Sequence, residues 1–529
     1  MSKKIVIYDT TLRDGAQGEG IAFSLEDMVK IAKRLDEAGF DYIEGGWPGS
    51  NPKHEEFFKA IQSVPLKHAK IAAFGSTRRA SLRADQDPNL IAMVESGAPV
   101  ATIVGKAWDF HATEALRVPL DQNIEMIHDS VKFLKDQGKE VFFDAEHYFD
   151  GWKANPDYAI ETLKAAAAAG ADCVILCDTN GGCIPSQIEE ALKVVFASVD
   201  CPVGIHAHND SETAVANSLA AVQMGAVQVQ GTINGYGERC GNANLISIMP
   251  TLRMKLGYDC LSDQAIVDLT SLSKYVDEIA NVIPNDRQPF VGRSAFAHKA
   301  GMHVDAVMKQ PLTYEHIRPE QVGNVRRVLI SELAGGSSIV LKARRYGVDL
   351  TKKSPETKEV LQHIAKLENQ GYSFEGAEAS FELLLQKSVG AYRKLFDLKS
   401  FRVMVERRGT DPEPTTEATV RVIVDGEEML TVADGDGPVH ALDNALRKGL
   451  ERFYPEELKH IKLTDFKVRV LNAKDSTAAG VRVTVESTDG RSSWTTVGVS
   501  ENIIEASWHA LVDSVEYGLL KLVAKDKGA

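Results

Sequence analysis

Short β-branched runs alternate along the first half of the chain with longer stretches whose apolar positions recur at helical spacing. The runs fall at Ile5 to Tyr8, Tyr42 to Gly45, Lys70 to Phe74, Val100 to Val104, Glu140 to Asp144, Cys173 to Cys177, Val203 to His206 and Val227 to Gly231. Each has strand length and strand composition. Between them, Ser24 to Ala38, Pro52 to Gln62, Asn155 to Ala169, Pro185 to Ala197 and Ser211 to Met224 read as helices. Several are opened by Ser, Asn or Pro, which satisfy or tolerate the unpaired first N–H groups of a helix. Eight strand-helix units over residues 1–260 predict an α/β fold, a TIM (β/α)8 barrel. An open doubly wound sheet is the alternative. Asp14, Glu44, Lys106, Glu146, Thr179 and His208 all fall at carboxyl ends of the predicted strands, the face on which barrel enzymes build their sites.

Strand signals stop near Gly257, and residues 261–390 predict a helical linker subdomain, with helices at Asp263 to Ala280 and Pro355 to Asn369. From Phe401 the alternation returns. Strands at Glu417 to Val424 and Leu430 to Val432 precede a helix at Val439 to Phe453. Strands at Lys467 to Val470, Val481 to Glu486 and Ser493 to Gly498 precede another at Ile503 to Leu520. Two such halves predict a C-terminal α+β domain, 391–529, with internal pseudo-symmetry. Without a catalytic cluster of its own, it is a candidate for ligand binding or association.

At 529 residues the chain is long enough for two or three cores. Its net charge of -14 argues against nucleic acid or an anionic membrane as the main partner, since both reward a basic footprint. Six cysteines without paired CxxC spacing read as reduced thiols. Cys173 and Cys177, on one strand face, read as small core residues. With no signal-peptide pattern and no long apolar run, a soluble, cytoplasmic protein is expected.

Alternate residues of a strand share a face, so His206 and His208 project together, as two imidazoles on one cation would. Asp14, after the first strand, offers a carboxylate; Asn242, in the loop after the eighth, offers an amide oxygen or caps a helix. Such mixed nitrogen and oxygen donors suit Mn, Mg, Zn or Co. Arg13 would stabilise an oxyanion beside the metal, or form a structural salt bridge with Glu44 or Glu238. Glu146 is a candidate acid-base group and Thr179 a carboxylate-binding hydroxyl. Gln17, in the same segment as Arg13, is a candidate substrate contact. His303 is a candidate general acid or base, the role for which histidine is most often used, or else a surface histidine. Arg78 and Arg79 are either phosphate partners or salt-bridge formers.

The segments TLRDGAQ, HAHND, GYGERCGN and HKAGMH, followed by the two-part tail, occur in this order along nearly the whole chain. In this the chain resembles the metal-dependent synthases that condense acetyl-CoA with a 2-oxo acid, the 2-isopropylmalate, homocitrate and citramalate synthases. Residues 45 to 52, 72 to 80 and 144 to 151 look most like the citramalate-forming members, which implies pyruvate as acceptor. The resemblance implies an acyltransferase with Asp14, His206, His208 and Asn242 as metal ligands and Arg13 stabilising the enolate or alkoxide. Thr179 would contact the keto-acid carboxylate, and Glu146 and His303 would form the acid-base pair. Tyr314 lies in a segment like one contributed by a partner subunit, so a homodimer is implied, with residues 261–390 completing the active site. The tail resembles a regulatory domain, for which isoleucine is the implied effector. Glu212 stands where the family usually has glycine, and Met28 where it often has lysine. Two further readings are a lyase or aldolase on the same barrel and an inactive metabolite sensor.

Overall fold

In the computed structural model, eight parallel strands pair in sequence order and the last closes on the first, forming a barrel. The strands are β1 (Val6–Asp9), β2 (Tyr42–Gly46), β3 (Lys70–Ser76), β4 (Val100–Lys106), β5 (Glu140–Glu146), β6 (Cys173–Asp178), β7 (Val203–Ala207) and β8 (Gln228–Gly231). All eight predicted strands are present, so the open sheet is excluded. Closure sets Tyr8 opposite Gln230 and Asp9 opposite Gly231, bringing together segments more than two hundred residues apart. The structure describes residues 3–329, 340, 355–374, 376–388, 390–407, 409, 413–471, 479–490 and 492–526.

The helices around the barrel follow their capping chemistry. Ser24 accepts from the Asp27 amide while Asp27 accepts from the Ser24 amide, a capping box that starts Leu25–Glu37. This helix buries Met28, Ile31, Ala32 and Leu35. A lysine ammonium at position 28 would be buried here, whereas the methionine contributes about 1.5–3 kcal/mol by leaving water. Cys173 and Cys177 pack inside the barrel with Tyr8, Val100, Phe142 and Ile175.

By internal contacts the chain divides into two units, Met1–Phe296 with Ile317–Val325, and Ala297–His316 with Arg326–Ala529. The second contains two three-stranded antiparallel sheets. Continuing the numbering past a two-residue parallel pair, β9 (Ala297–His298) and β10 (Arg327–Val328), these are β11 (Asp397–Glu406), β12 (Thr415–Val424) and β13 (Glu427–Gly435), then β14 (Lys462–Val470), β15 (Val481–Thr488) and β16 (Ser493–Ser500). Helices Pro438–Leu450 and Ile503–Asp526 follow the two sheets. The repeat extends to single bonds: the Thr431 hydroxyl donates to Ala445 O at 2.7 Å, and the Thr496 hydroxyl to Ala510 O at 2.6 Å.

Three details depart from the sequence expectation. The stretch Asp263 to Ala280 breaks at Asp268 into Asp263–Val267 and Leu269–Ile279. The pair β9 and β10 interrupts a stretch read as helical. The first tail sheet gains β11, most of whose residues are exposed or only half-buried, so no clean apolar alternation marks it. Residues 330–339 and 341–354 of the predicted linker subdomain lie outside the described residues. Among the described residues, no helix is long and apolar enough to cross a membrane.

Candidate metal centre and active site

Asp14 follows β1 in a turn closed by the Arg13 and Gly15 amides, both donating to Thr10 O. His206 lies on β7 and His208 just beyond it, with side chains on one face as their spacing requires. Asp14 Oδ2 is 3.2 Å from His206 Nε2 and 3.9 Å from His208 Nε2, and the two Nε2 atoms are 3.4 Å apart. All three residues are buried, and one ligand atom from each falls within 4.8 Å of the others, a group that could hold a metal ion. Burial opposes charge on Asp14, but Arg13 and the two imidazoles outweigh it and hold the carboxyl well below its usual range. Burial, with His206 alongside, pushes His208 down to about 4, leaving it the neutral imidazole a cation requires.

Asn242 forms a bridge with His208. Its amide nitrogen donates to Tyr236 O at 3.1 Å, while its Oδ1 is buried without a hydrogen-bond partner. A buried acceptor left open on a residue bridged to His208 fits a metal ligand better than a helix cap. The cap of the following helix, Leu245–Met254, is instead Asn244, whose side chain accepts from the Ile246 amide.

Arg13 Nε binds the Glu44 carboxyl, and the guanidinium lies 3.9 Å from the centre of the Phe74 ring. Glu44 in turn accepts from the Tyr8 hydroxyl at 2.7 Å, and the Thr102 hydroxyl lies 2.7 Å from the same phenol oxygen. The salt bridge foreseen with Glu44 is therefore formed. It holds one edge of the fork and leaves the other N–H groups free of that bond. Lys106 and Glu146, opposite each other in the β4–β5 register, form an ion pair. Thr179 Oγ1 accepts from the His147 amide at 2.9 Å, so its hydroxyl proton remains available to donate elsewhere.

Arg13, Asp14, Gln17, Glu146, Thr179, His206 and His208 all line one cavity of about 600 Å³ at the carboxyl mouth of the barrel. Arg79 lines it too. Arg78 also lines it, but its guanidinium is engaged by Asp129 and by the carbonyls of Arg79 and Leu82, the salt-bridge alternative foreseen for it. His303 and Tyr314 belong to the second unit, where their rings stack 4.1 Å apart.

Sequence reasoning did not single out Gln230, which is fully buried and bridges His206 Nδ1 (3.0 Å) to Asp144 Oδ1 (3.1 Å). The available signal was two glutamines at alternate positions of β8, Gln228 and Gln230, on a strand otherwise apolar. Lys106 was noticed only as a strand-end residue. Its role emerges once β4 and β5 are in register.

A closed parallel barrel with a buried Asp-His-His cluster that could hold a metal ion, and an arginine beside it at the carboxyl mouth, defines the class: barrel proteins with a candidate metal site at that mouth. Residues 4–276 match the HMGL-like family model, 290–372 the homocitrate synthase post-HMGL domain-like model, and 375–519 the LeuA allosteric (dimerisation) domain. The (R)-citramalate synthase of Geobacter sulfurreducens is 57% identical over 98% of this chain and 98% of its own. Four further (R)-citramalate synthases are 46% to 53% identical, each over at least 97% of this chain. The probable 2-isopropylmalate synthase of Methanopyrus kandleri is 33% identical over 97% of this chain and 98% of its own. Among solved structures, the HMG-CoA lyase of Brucella melitensis has a TM-score of 0.46 at 16% identity, over 53% of this chain and 100% of that one. The chain belongs to the HMGL-like/LeuA family of acetyl-CoA-using transferases, and within it to the (R)-citramalate synthase branch rather than the more distant 2-isopropylmalate synthases.

Proposed function

We propose that the barrel cavity condenses acetyl-CoA with pyruvate and water to give (R)-citramalate and CoA, the reaction named by the relatives at 46% to 57% identity. The observation that carries the reading is the buried Asp14–His206–His208 cluster opening beside Arg13 into a single cavity. With Asn242 these residues would hold a divalent cation, among Mn, Mg, Zn and Co, which when bound supplies Lewis-acid polarisation of a carbonyl. Arg13, fixed at Nε by Glu44, directs its remaining donors to the oxygen that gains charge during condensation. Thr179 donates its hydroxyl to the acceptor's carboxylate, and Gln17 adds a contact from the same wall. His303, with Glu146, handles the proton leaving the acetyl methyl group, and Tyr314 assists.

The tail, by its match to an allosteric and dimerisation domain, joins two copies of the chain. It binds isoleucine, the end product of the pathway in which citramalate is an early intermediate, and so exerts feedback inhibition. Residues 1–260 form the catalytic barrel, 261–390 a linker completing the active site and 391–529 the regulatory domain. Reduced thiols and the acidic surface agree with a cytoplasmic location.

Thiol release from acetyl-CoA, measured with pyruvate, 2-oxoisovalerate and 2-oxoglutarate in turn, tests the reading. Release that depends on pyruvate alone is the expected result. A preference for 2-oxoisovalerate would assign the chain to 2-isopropylmalate formation instead, and no release with any acceptor would sink both.

A further inference from the structure

Thr179, just past β6, is gripped from two sides by groups on other loops of the barrel mouth. The His147 amide, just past β5, donates to its hydroxyl oxygen at 2.9 Å, and Arg239 Nη2, in the loop after β8, donates to its carbonyl at 2.7 Å. A backbone N–H only donates, so the Thr179 hydroxyl accepts at that point and must send its own proton elsewhere. The Arg239 guanidinium also reaches Asp210, in the loop after β7, with Nε to Oδ1 at 2.8 Å and Nη2 to Oδ2 at 3.0 Å. One side chain thus ties three loops together, and both it and Thr179 line the barrel cavity.

Both gripping residues stand in the left-handed region without being glycine, His147 at φ +54° and Arg239 at φ +55°. Such a conformation persists where the surroundings over-determine it. The His147 ring lies 3.0 Å from Asp150, which accepts from Asn180 Nδ2 at 3.0 Å, so the segment after β5 is bonded to Thr179 and to the residue beyond it. On the other flank Gly181 packs so closely on Asp210 that a Cβ there would fall 2.4 Å from its carboxyl oxygen, which confines the carboxylate that Arg239 holds. An exposed ion pair ordinarily contributes little. A planar fork filled at Nε and Nη2 fixes orientation as well as charge, and here it extends that hold to the Thr179 carbonyl.

We infer that Arg239, with the His147 amide, is a positioning residue that aims the Thr179 hydroxyl into the cavity, an inference that rests on Thr179 as the contact for the acceptor's carboxylate. Arg239 acts through Thr179 and does not itself bind the acceptor.

Steady-state kinetics of the full-length, Mn2+-loaded protein test this with Thr179→Val, Arg239→Gln, Arg239→Lys and the Arg239→Gln/Thr179→Val double variant. Thr179→Val keeps the shape and removes the hydroxyl, so KM for pyruvate should rise about 10–100-fold. Arg239→Gln should raise it about tenfold, with KM for acetyl-CoA and Mn2+ affinity unchanged. Arg239→Lys, whose single ammonium cannot reproduce the fork, should fall between wild type and Arg239→Gln. In the Thr179→Val background the Arg239→Gln effect should vanish, because no hydroxyl is left to aim. Effects that multiply in the double variant would overturn the inference, since Arg239 would then meet the acceptor's charge directly. So would Arg239→Gln with wild-type KM for pyruvate, or with Mn2+ affinity lost as well, which would make it a support of the metal loop. Wild-type protein inactive with pyruvate, or Thr179→Val with wild-type KM, would overturn the reading beneath the inference and the inference with it. That failure is distinguishable, because it shows without any change at position 239.

Discussion

Arg13 is held on two sides: Glu44 takes its Nε, and the Phe74 ring lies against its face at 3.9 Å. A guanidinium gripped in this way has lost its rotamer freedom before substrate arrives, which is what preorganised charge stabilisation requires. Arg13→Ala is expected to raise the barrier by about 3–4 kcal/mol, cutting kcat roughly a hundredfold or more, while Mn2+ binding persists. An Arg13→Ala protein with wild-type turnover would refute that role. Glu44→Gln keeps the shape of the support and removes its charge. Because the carboxyl is fully buried against a cation that is itself only 13% exposed, this variant should lose about 3 kcal/mol of stability in chemical denaturation. A loss under about 1 kcal/mol would mean that the pair is largely dispensable. Both residues were visible as polar positions at strand ends, but their pairing was one option among several, since nothing local says which acid an arginine on another strand will meet.

At the scale of elements, the loops after β7 and β8 are shaped by backbone conformation as much as by side chains. Glu212 has φ +58°, the left-handed region, and its side chain is exposed, with no hydrogen bond among the described residues to compensate. Glycine, frequent at this position in the family, adopts that conformation without the Cβ conflict, which is worth about 1–2 kcal/mol, partly offset by its greater freedom when unfolded. Glu212→Gly should therefore raise stability by about 0.5–1 kcal/mol and leave kcat unchanged; a lower melting temperature would contradict this account. Gly241 is the opposite case. It has φ +89°, and a Cβ there would lie 2.0 Å from Gly235 O. Gly241→Ala should displace the loop that carries Asn242, costing more than about 2 kcal/mol and weakening Mn2+ binding. Calorimetry of the free and Mn2+-loaded protein measures both effects.

For the whole molecule, the expected outcome is a dimer whose activity responds to a ligand bound outside the barrel. Light scattering should give twice the chain mass at micromolar concentration. Isoleucine should lower kcat or raise KM for acetyl-CoA, whereas valine at the same concentration has little effect. A monomer, or equal response to both amino acids, would count against the regulatory reading of the tail. The duplicated threonine-to-helix bonds, Thr431 to Ala445 and Thr496 to Ala510, show that the two halves of that tail share one strand-to-helix design. The sequence revealed the duplication only in part. β12 and β15, the middle strands of the two sheets, alternate cleanly between buried and less buried positions, whereas β11 and β14 bury no residue fully.

Local periodicity by itself determined the eight barrel strands, their helices and the parity that sets His206 and His208 on one face, because each depends on residues within a few positions of one another. It also placed the polar residues at the carboxyl ends of strands. Tertiary structure alone decided which of them meet. Closure of β8 onto β1 and β7 brings Gln230 behind His206, β5 sets Asp144 within hydrogen-bond reach of Gln230, and β2 delivers Glu44 to Arg13. These contacts join residues 24 to 86 positions apart. Their geometry is set by strand register and barrel closure, which no local window of the sequence contains.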